Sequence, residues 1–214
     1  MNGIFWNGTI EENFIGHIMA EVYKDKVYDL FLNNRSNLTI VDVGANIGIT
    51  SHYFSQFAKQ VYSLEPSKEH CNVFEKTMAF NKIENIDLTQ KALYIKSGEL
   101  PLFHNKNKTM FSLHGAVNDG SSEPELVGCT TMEDFFKEKE IDRVDLMKVD
   151  IEGSETEVFS HPSFQGVADR ISILVTETHA WSGRHPNQVT DALKMAGFTI
   201  EAIENDASLI VARR

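Results

Sequence analysis

Four short stretches of this 214-residue chain combine residue types that can do chemistry. The first is Ile40-Val41-Asp42-Val43-Gly44-Ala45-Asn46-Ile47-Gly48, where an apolar run passes straight into a glycine turn. Glycines at 44 and 48 let backbone approach a ligand closely, and Asp42 can accept hydrogen bonds from a cationic group. The turn lacks the third glycine of a dinucleotide fingerprint, and no Gly-Lys-Ser/Thr follows to make an ATP-type loop. The second stretch, Ser63-Leu64-Glu65-Pro66, ends another apolar run on a carboxylate. Glu65 is suited to grip two ribose hydroxyls, or simply to enter a helix at its positive end.

The third and fourth stretches carry acid–base and ligating groups. Asp150 and Glu152 flank Ile151, and Glu177 and His179 flank Thr178. Alternation along a strand would send each pair to one side. If the two strands are neighbours, Asp150, Glu177 and His179 meet at one rim. They would form a set of hard oxygen and imidazole donors fit for magnesium or another divalent cation. The same three residues could act without metal, with His179 as a general base and Asp150 on a cofactor amino group. Lys148, inside an apolar run, must pair with a carboxylate or reach outward. Trp181 and Arg184 follow the fourth stretch and suit acceptor contact, while His17 is read as a packed or exposed helical residue.

Positioning these groups requires strands that end together. The spacing predicts strands over 38–43, 60–64, 86–93, 144–149 and 171–176, with helices from the glycine turn to about residue 58 and over 131–139, 155–159 and 187–196. A further helix follows Ser67. Strands over 198–203 and 208–212 are separated by four residues, short enough for an antiparallel hairpin. The expected fold is therefore α/β, a doubly wound Rossmann-like sheet, mainly parallel, with a C-terminal antiparallel hairpin. Residues 1–37 read as an N-terminal helical cap and 38–214 as the main domain. Residues 105–125 read as loops around short strands.

Bulk properties narrow the partners. With 31 acidic and 20 basic residues, the formal charge of -11 repels nucleic acid and anionic membrane surfaces. No nucleic-acid or membrane partner is expected. Two cysteines without metal or redox spacing, and no leader-like or membrane-spanning run, point to the cytoplasm.

Asp42 to Gly48, Ser63 to Pro66, and the run Lys148-Val149-Asp150-Ile151-Glu152-Gly153-Ser154-Glu155 together resemble the FkbM family of S-adenosylmethionine-dependent methyltransferases. The likeness implies a class I methyltransferase sheet, with Gly44, Ala45, Asn46 and Gly48 around the methionine part of the cofactor. Glu65 would hold the ribose, and Ala92 would lie near adenine, where the acidic residue common in class I enzymes is absent. It implies methyl transfer to a hydroxyl of a small-molecule acceptor such as a sugar or secondary metabolite. A metal at Asp150, Glu177 and His179 would lower that hydroxyl's pKa. The alternatives are a dinucleotide-dependent oxidoreductase or epimerase, disfavoured by the glycine spacing, and a non-catalytic cofactor-binding domain.

Overall fold

A computed structural model describes residues 12–104, 111–113, 123–183, 185–204 and 209–214. Strand β1, Leu38–Val43, is buried along its whole length, so its alternate side chains feed two different cores. Val41 and Val43 join one apolar cluster, while Ile40 joins the other. A strand covered on both faces reads as a continuous apolar run, as β1 does.

Five strands run parallel around it: β1, β2 (Ala58–Leu64), β3 (Ile86–Thr89), β8 (Leu146–Val149) and β9 (Ile173–Glu177). The expected hairpin is present as β10 (Thr199–Glu204) and β11 (Leu209–Arg213). β11 inserts between β10 and β9, antiparallel to both, giving the order β10-β11-β9-β8-β1-β2-β3. Strand order reverses at β1, the position where open α/β sheets leave a crevice beyond their carboxyl ends.

Helices cover both faces. On one side lie α2 (Asp29–Leu32), α3 (Ile49–Phe54) and α4 (Lys68–Asn81), contributing Leu32, Phe54 and Val73 to the core. On the other lie α5 (Met132–Glu138), α6 (Glu155–Ser160), α7 (Pro162–Gln165) and α8 (Pro186–Met195), contributing Phe135, Phe136, Phe159, Phe164 and Leu193. Each such side chain, fully buried, contributes about 1.5–3 kcal/mol. Ser67 and Thr131 cap α4 and α5 by accepting from the backbone N–H of His70 and Asp134.

One expectation needed revision. The apolar run 86–93 is not one strand: after Thr89 the chain turns, and Ala92–Leu93 (β4) joins a second sheet. That sheet, ordered β4-β7-β5-β6, also contains β5 (Gly98–His104), β6 (Phe111–Ser112) and β7 (Glu125–Thr130). β5 shows no clean alternation and includes Pro101, which hid it from pattern reading. At the N-terminus, the expected helical segment consists of α1 (Glu12–Met19), a π-helical turn (Ala20–Lys24) and α2, broken by left-handed Lys26. No helix among the described residues is long and apolar enough to cross a membrane.

Candidate active site

The glycine turn after β1 is fastened from both sides. The N–H groups of Gly44 and Ala45 donate to the Leu64 carbonyl at the end of β2, and Asp150 N–H donates to Val43. Gly44 has φ +74, and a Cβ there would stand 1.7 Å from the Asp150 carbonyl oxygen. Gly48, at φ +86, caps α3, and a Cβ would meet the Phe74 ring at 2.2 Å. Both glycines are thus required by the protein's own packing, where the sequence had suggested room for a ligand.

Below the turn, Asp42 is fully buried and accepts from Ser51 Oγ at 2.5 Å. Lys148 Nζ donates to the Gly44 carbonyl at 2.9 Å and lies 3.5 Å from Asp42 and 3.4 Å from Asp150. Burial alone would lower the lysine's pKa, but Asp150 and Asp42 outweigh it and hold the ammonium above the ordinary lysine range. The expected cationic partner of Asp42 is therefore Lys148. The carboxylate supports the turn from beneath and forms no part of either cavity wall.

Glu65 is 4% exposed. Its two oxygens accept from the Asn46 N–H at 2.8 Å and the Ser67 N–H at 2.9 Å. It is at once a helix-entry carboxylate and a clamp on the glycine turn, since Asn46 is held at φ 51. Oε1 also lies 3.5 Å from the buried His70 Nδ1, whereas Oε2 accepts only from Asn46 among the described residues. Glu65 also lines a cavity with Leu64, Ala92, Leu93 and Leu102. β6 reaches its far side, where Ser112 Oγ donates to the Glu152 carbonyl at 2.6 Å.

A second cavity lies on the other side of the turn. The two share Gly44, Asn46, Asp150 and Glu152, so they meet at the end of β8. Ala45, Lys148, Glu177 and His179 line the second, as do Glu21 and His17 from the cap. Glu21 is exposed, yet its carboxyl is partly screened by the cavity wall, which pushes its pKa up, and it feels the charges of Lys148 and Asp150.

The structure brings Asp150, Glu177 and His179 to this one cavity, but not to a common point. The donor atoms that lie within 4.8 Å of one another belong to Asp150, Glu155 and His179. His179 Nδ1 is 2.9 Å from Glu155, while its Nε2 is 3.3 Å from Glu152 and 3.6 Å from Asp150. Glu155, expected only to start a helix, is 2% exposed and also accepts from the N–H groups of Ile151 and Gly153. Period-2 alternation failed here because β8 stops at Val149 and the chain turns through Glu152, at φ 51. Burial works against a charged imidazole, but the Glu155 hydrogen bond and the charges of Glu155, Asp150 and Glu152 prevail and raise His179 to about 9. An imidazole so held is a cation at neutral pH, which shifts proton acceptance toward its carboxylate neighbours. Burial and then Asp150 push Glu152 up to about 8 and Glu177 up to about 7.

Residues 42–200 match the model of the methyltransferase FkbM domain. The chain belongs to the FkbM methyltransferase family. Within known relatives, the methyltransferase sdnD of Sordaria araneosa is 28% identical over 245 residues, spanning 96% of this chain and 91% of its own. Among solved structures, a SAM-dependent methyltransferase of Aquifex aeolicus superposes with a TM-score of 0.54 at 13% identity, covering 95% of this chain and 97% of its own. An rRNA methylase of Streptococcus thermophilus does so with a TM-score of 0.52 at 10% identity, over 87% and 93%. These likenesses establish the fold, and family membership makes this FkbM chain an S-adenosylmethionine-dependent methyltransferase. The oxidoreductase and epimerase alternatives fall away. The exclusion of nucleic acid, drawn from net charge, does not follow from the fold, which an rRNA methylase shares.

The residues present fit the cofactor. Asp150 Oδ1 is out of solvent at the junction of the two cavities, and beyond its 3.6 Å approach to His179 Nε2 it makes no hydrogen bond among the described residues. It is an acceptor available to an ammonium group. Trp181 packs its ring edge-on to His179, with centroids 5.9 Å apart, and stays 39% exposed. Arg184 lies outside the described residues. Glu155 and Glu21 were missed by sequence reasoning: Glu155 left a signal in its Glu-Gly-Ser-Glu run, Glu21 none.

Proposed function

We propose that this methyltransferase acts on a hydroxyl of a small acceptor, a sugar or a secondary metabolite. One observation carries the reading: the second cavity places Asp150, Glu152 and Glu177 around a space that opens onto the cofactor turn. A hydroxyl donates to a carboxylate and must lose its proton as it becomes a nucleophile. S-adenosylmethionine supplies the electrophilic methyl group. Glu65 would hold the ribose through Oε2, Ala92 would face the adenine, and Gly44, Ala45 and Asn46, with Gly48 behind them, would shape the methionine site. Asp150 Oδ1 would accept from the amino group.

Glu177 is the residue to take the acceptor's proton, because a carboxyl near pKa 7 balances availability against basicity. His179, as imidazolium, holds Asp150, Glu152 and Glu155 in register. A divalent cation is the finer reading of the same corner: it would require His179 neutral in place of the imidazolium, with Asp150, Glu155 and His179 as its donors. There it would supply Lewis acidity to an acceptor oxygen.

The test is methyl transfer from labelled S-adenosylmethionine to a panel of methyl hexopyranosides, catechol and primary amines, with and without EDTA. Labelled ethers are the expected product. N-methyl products only would overturn the hydroxyl assignment, and full activity in EDTA would remove the metal. Glu177→Gln should lower kcat at least tenfold with S-adenosylhomocysteine affinity unchanged.

A further inference from the structure

We infer that the N-terminal segment from His17 to Tyr28 is the acceptor-specificity element of this enzyme, with Glu21 as its polar determinant. It would select a small molecule without anionic groups, one that turns a hydroxyl toward Glu21 and an apolar face toward Ile18 and Val22. The inference rests on the methyl-transfer reading above and adds which part of the chain chooses the acceptor.

The two cavities differ in where their walls come from. Every residue lining the first lies between Val43 and Ser154, inside the span matched by the family domain. The second takes His17, Ile18, Glu21, Val22 and Tyr28 from before that span. A cofactor site must serve one molecule in every member of a family, whereas an acceptor site must differ with the substrate. A wall contributed from outside the shared domain belongs with the variable task.

Glu21 is exposed at the cavity wall, and its backbone is positioned by its neighbours. Val22 is 1% exposed and Tyr28 6%, so both are anchored in the core under α3. The Tyr23 hydroxyl hydrogen-bonds His52 Nδ1, and its ring packs edge-on to Tyr53 with centroids 5.1 Å apart. Between these anchors the turn is π-helical, closed by Asp25 N–H donating to the Ala20 carbonyl at 2.8 Å. Such turns recur at functional sites because they displace a side chain from the regular helical register. Here Glu21 faces the cavity while Val22 and Tyr23 are fastened.

Charge argues against an anionic ligand. Glu21, Asp150, Glu152 and Glu177 line this cavity against Lys148 and His179, and Lys148 is already taken by Asp42, Asp150 and the Gly44 carbonyl. A phosphorylated or carboxylated acceptor would meet repulsion, with no free cation among the described lining residues to offset it. Ile18, Val22, Ile49 and Val175 supply the apolar side of the same space.

The experiment compares full-length wild type, Glu21→Gln, Ile18→Ala and, as a cap control outside the cavity, Leu30→Ser, which alters a residue 82% exposed. S-adenosylhomocysteine binding is measured by calorimetry, and kcat and KM on whichever probe of the hexopyranoside, catechol and amine panel the wild type labels. The expected result is an S-adenosylhomocysteine Kd within twofold throughout and a loss of at least tenfold in kcat/KM for Glu21→Gln, mainly in KM. Ile18→Ala should change the ranking of probes, and Leu30→Ser should match wild type. A parallel loss of cofactor affinity, or kcat/KM within twofold of wild type in both cavity variants, would overturn the inference while leaving methyl transfer intact. Labelling of amines only would sink the hydroxyl reading, with Glu21→Gln still deciding the role of the cap. No labelling of any probe would sink both.

Discussion

Replacing Lys148 with methionine tests the centre of the site, because this ammonium ties the glycine turn to the end of β8. At 3.5 Å from Asp42 and 3.4 Å from Asp150, each ion pair is worth on the order of 5 kcal/mol at an effective dielectric of about 20. Desolvation of the buried ions cancels much of that gain. Removing one partner is costly because a charge is left uncompensated, and Asp42 has no solvent exposure at all. Lys148→Met should therefore destabilise the protein by about 3–5 kcal/mol at pH 7, read by urea unfolding followed by far-UV circular dichroism.

Two further arms isolate the cause. Asp42→Asn in the Lys148→Met background should restore part of the loss, since the stranded carboxylate is gone, giving a coupling of about 1–3 kcal/mol. In the single mutant the loss should be smallest in acid, where Asp42 takes a proton, and grow as pH rises. In wild type, a lysine pKa raised above 10.5 means the pair's contribution persists through neutral pH and disappears only in strong alkali. A cost below about 1 kcal/mol, or strict additivity in the double mutant, would refute this account of the turn.

Other outcomes follow from the same geometry. Gly44→Ala adds a Cβ 1.7 Å from the Asp150 carbonyl at a left-handed φ, so unfolding free energy should fall by more than the about 1–2 kcal/mol of the backbone conformation alone, and S-adenosylhomocysteine affinity should fall with it. Calorimetry that finds wild-type affinity would mean the turn does not shape the cofactor site. Glu65→Gln sets an NH₂ against one of two backbone N–H donors and should weaken cofactor binding by about 1–3 kcal/mol; Glu65→Asp, keeping the charge, should lose less. His179 raised to about 9, Glu152 to about 8 and Glu177 to about 7 all make the folded state bind more protons than the unfolded state. Their combined stabilisation should be complete below about pH 4.5 and be lost progressively up to about pH 9, which urea midpoints against pH would reveal; midpoints rising over that range would reverse the sign.

The parts legible in the sequence are those governed by local pattern. β1 is buried on both faces and so reads as an unbroken apolar run, and the glycines after it announce a turn because no other residue tolerates φ +74 or +86 without strain. The C-terminal hairpin is legible from a gap too short for a crossover. Lys148 inside an apolar strand announces a carboxylate partner, although not which one. The chain's order of motifs carried the family, since the spacing of glycine turn, Glu65 and Lys-x-Asp-x-Glu run survives without any knowledge of contacts.

What the tertiary structure decided lies wherever separate segments meet. Whether β11 inserts beside β9 depends on edges that only the assembled sheet presents. The second sheet was hidden because β5 and β7 are not consecutive strands, β6 lying between them in the chain, and the short β4 strand shares an apolar run with β3. His179 is drawn to Glu155 because β8 ends at Val149 and the next turn carries the start of α6 beneath β9's end, a distance of 24 residues along the chain. Glu21 leaves no trace in composition or spacing, because its place on the cavity wall comes from Val22, Tyr23 and Tyr28 gripping α3 and the core. Local sequence specifies strands, turns and caps; which charges share a cavity is set by the packing of remote elements, since electrostatic energy depends on distance in space and not along the chain.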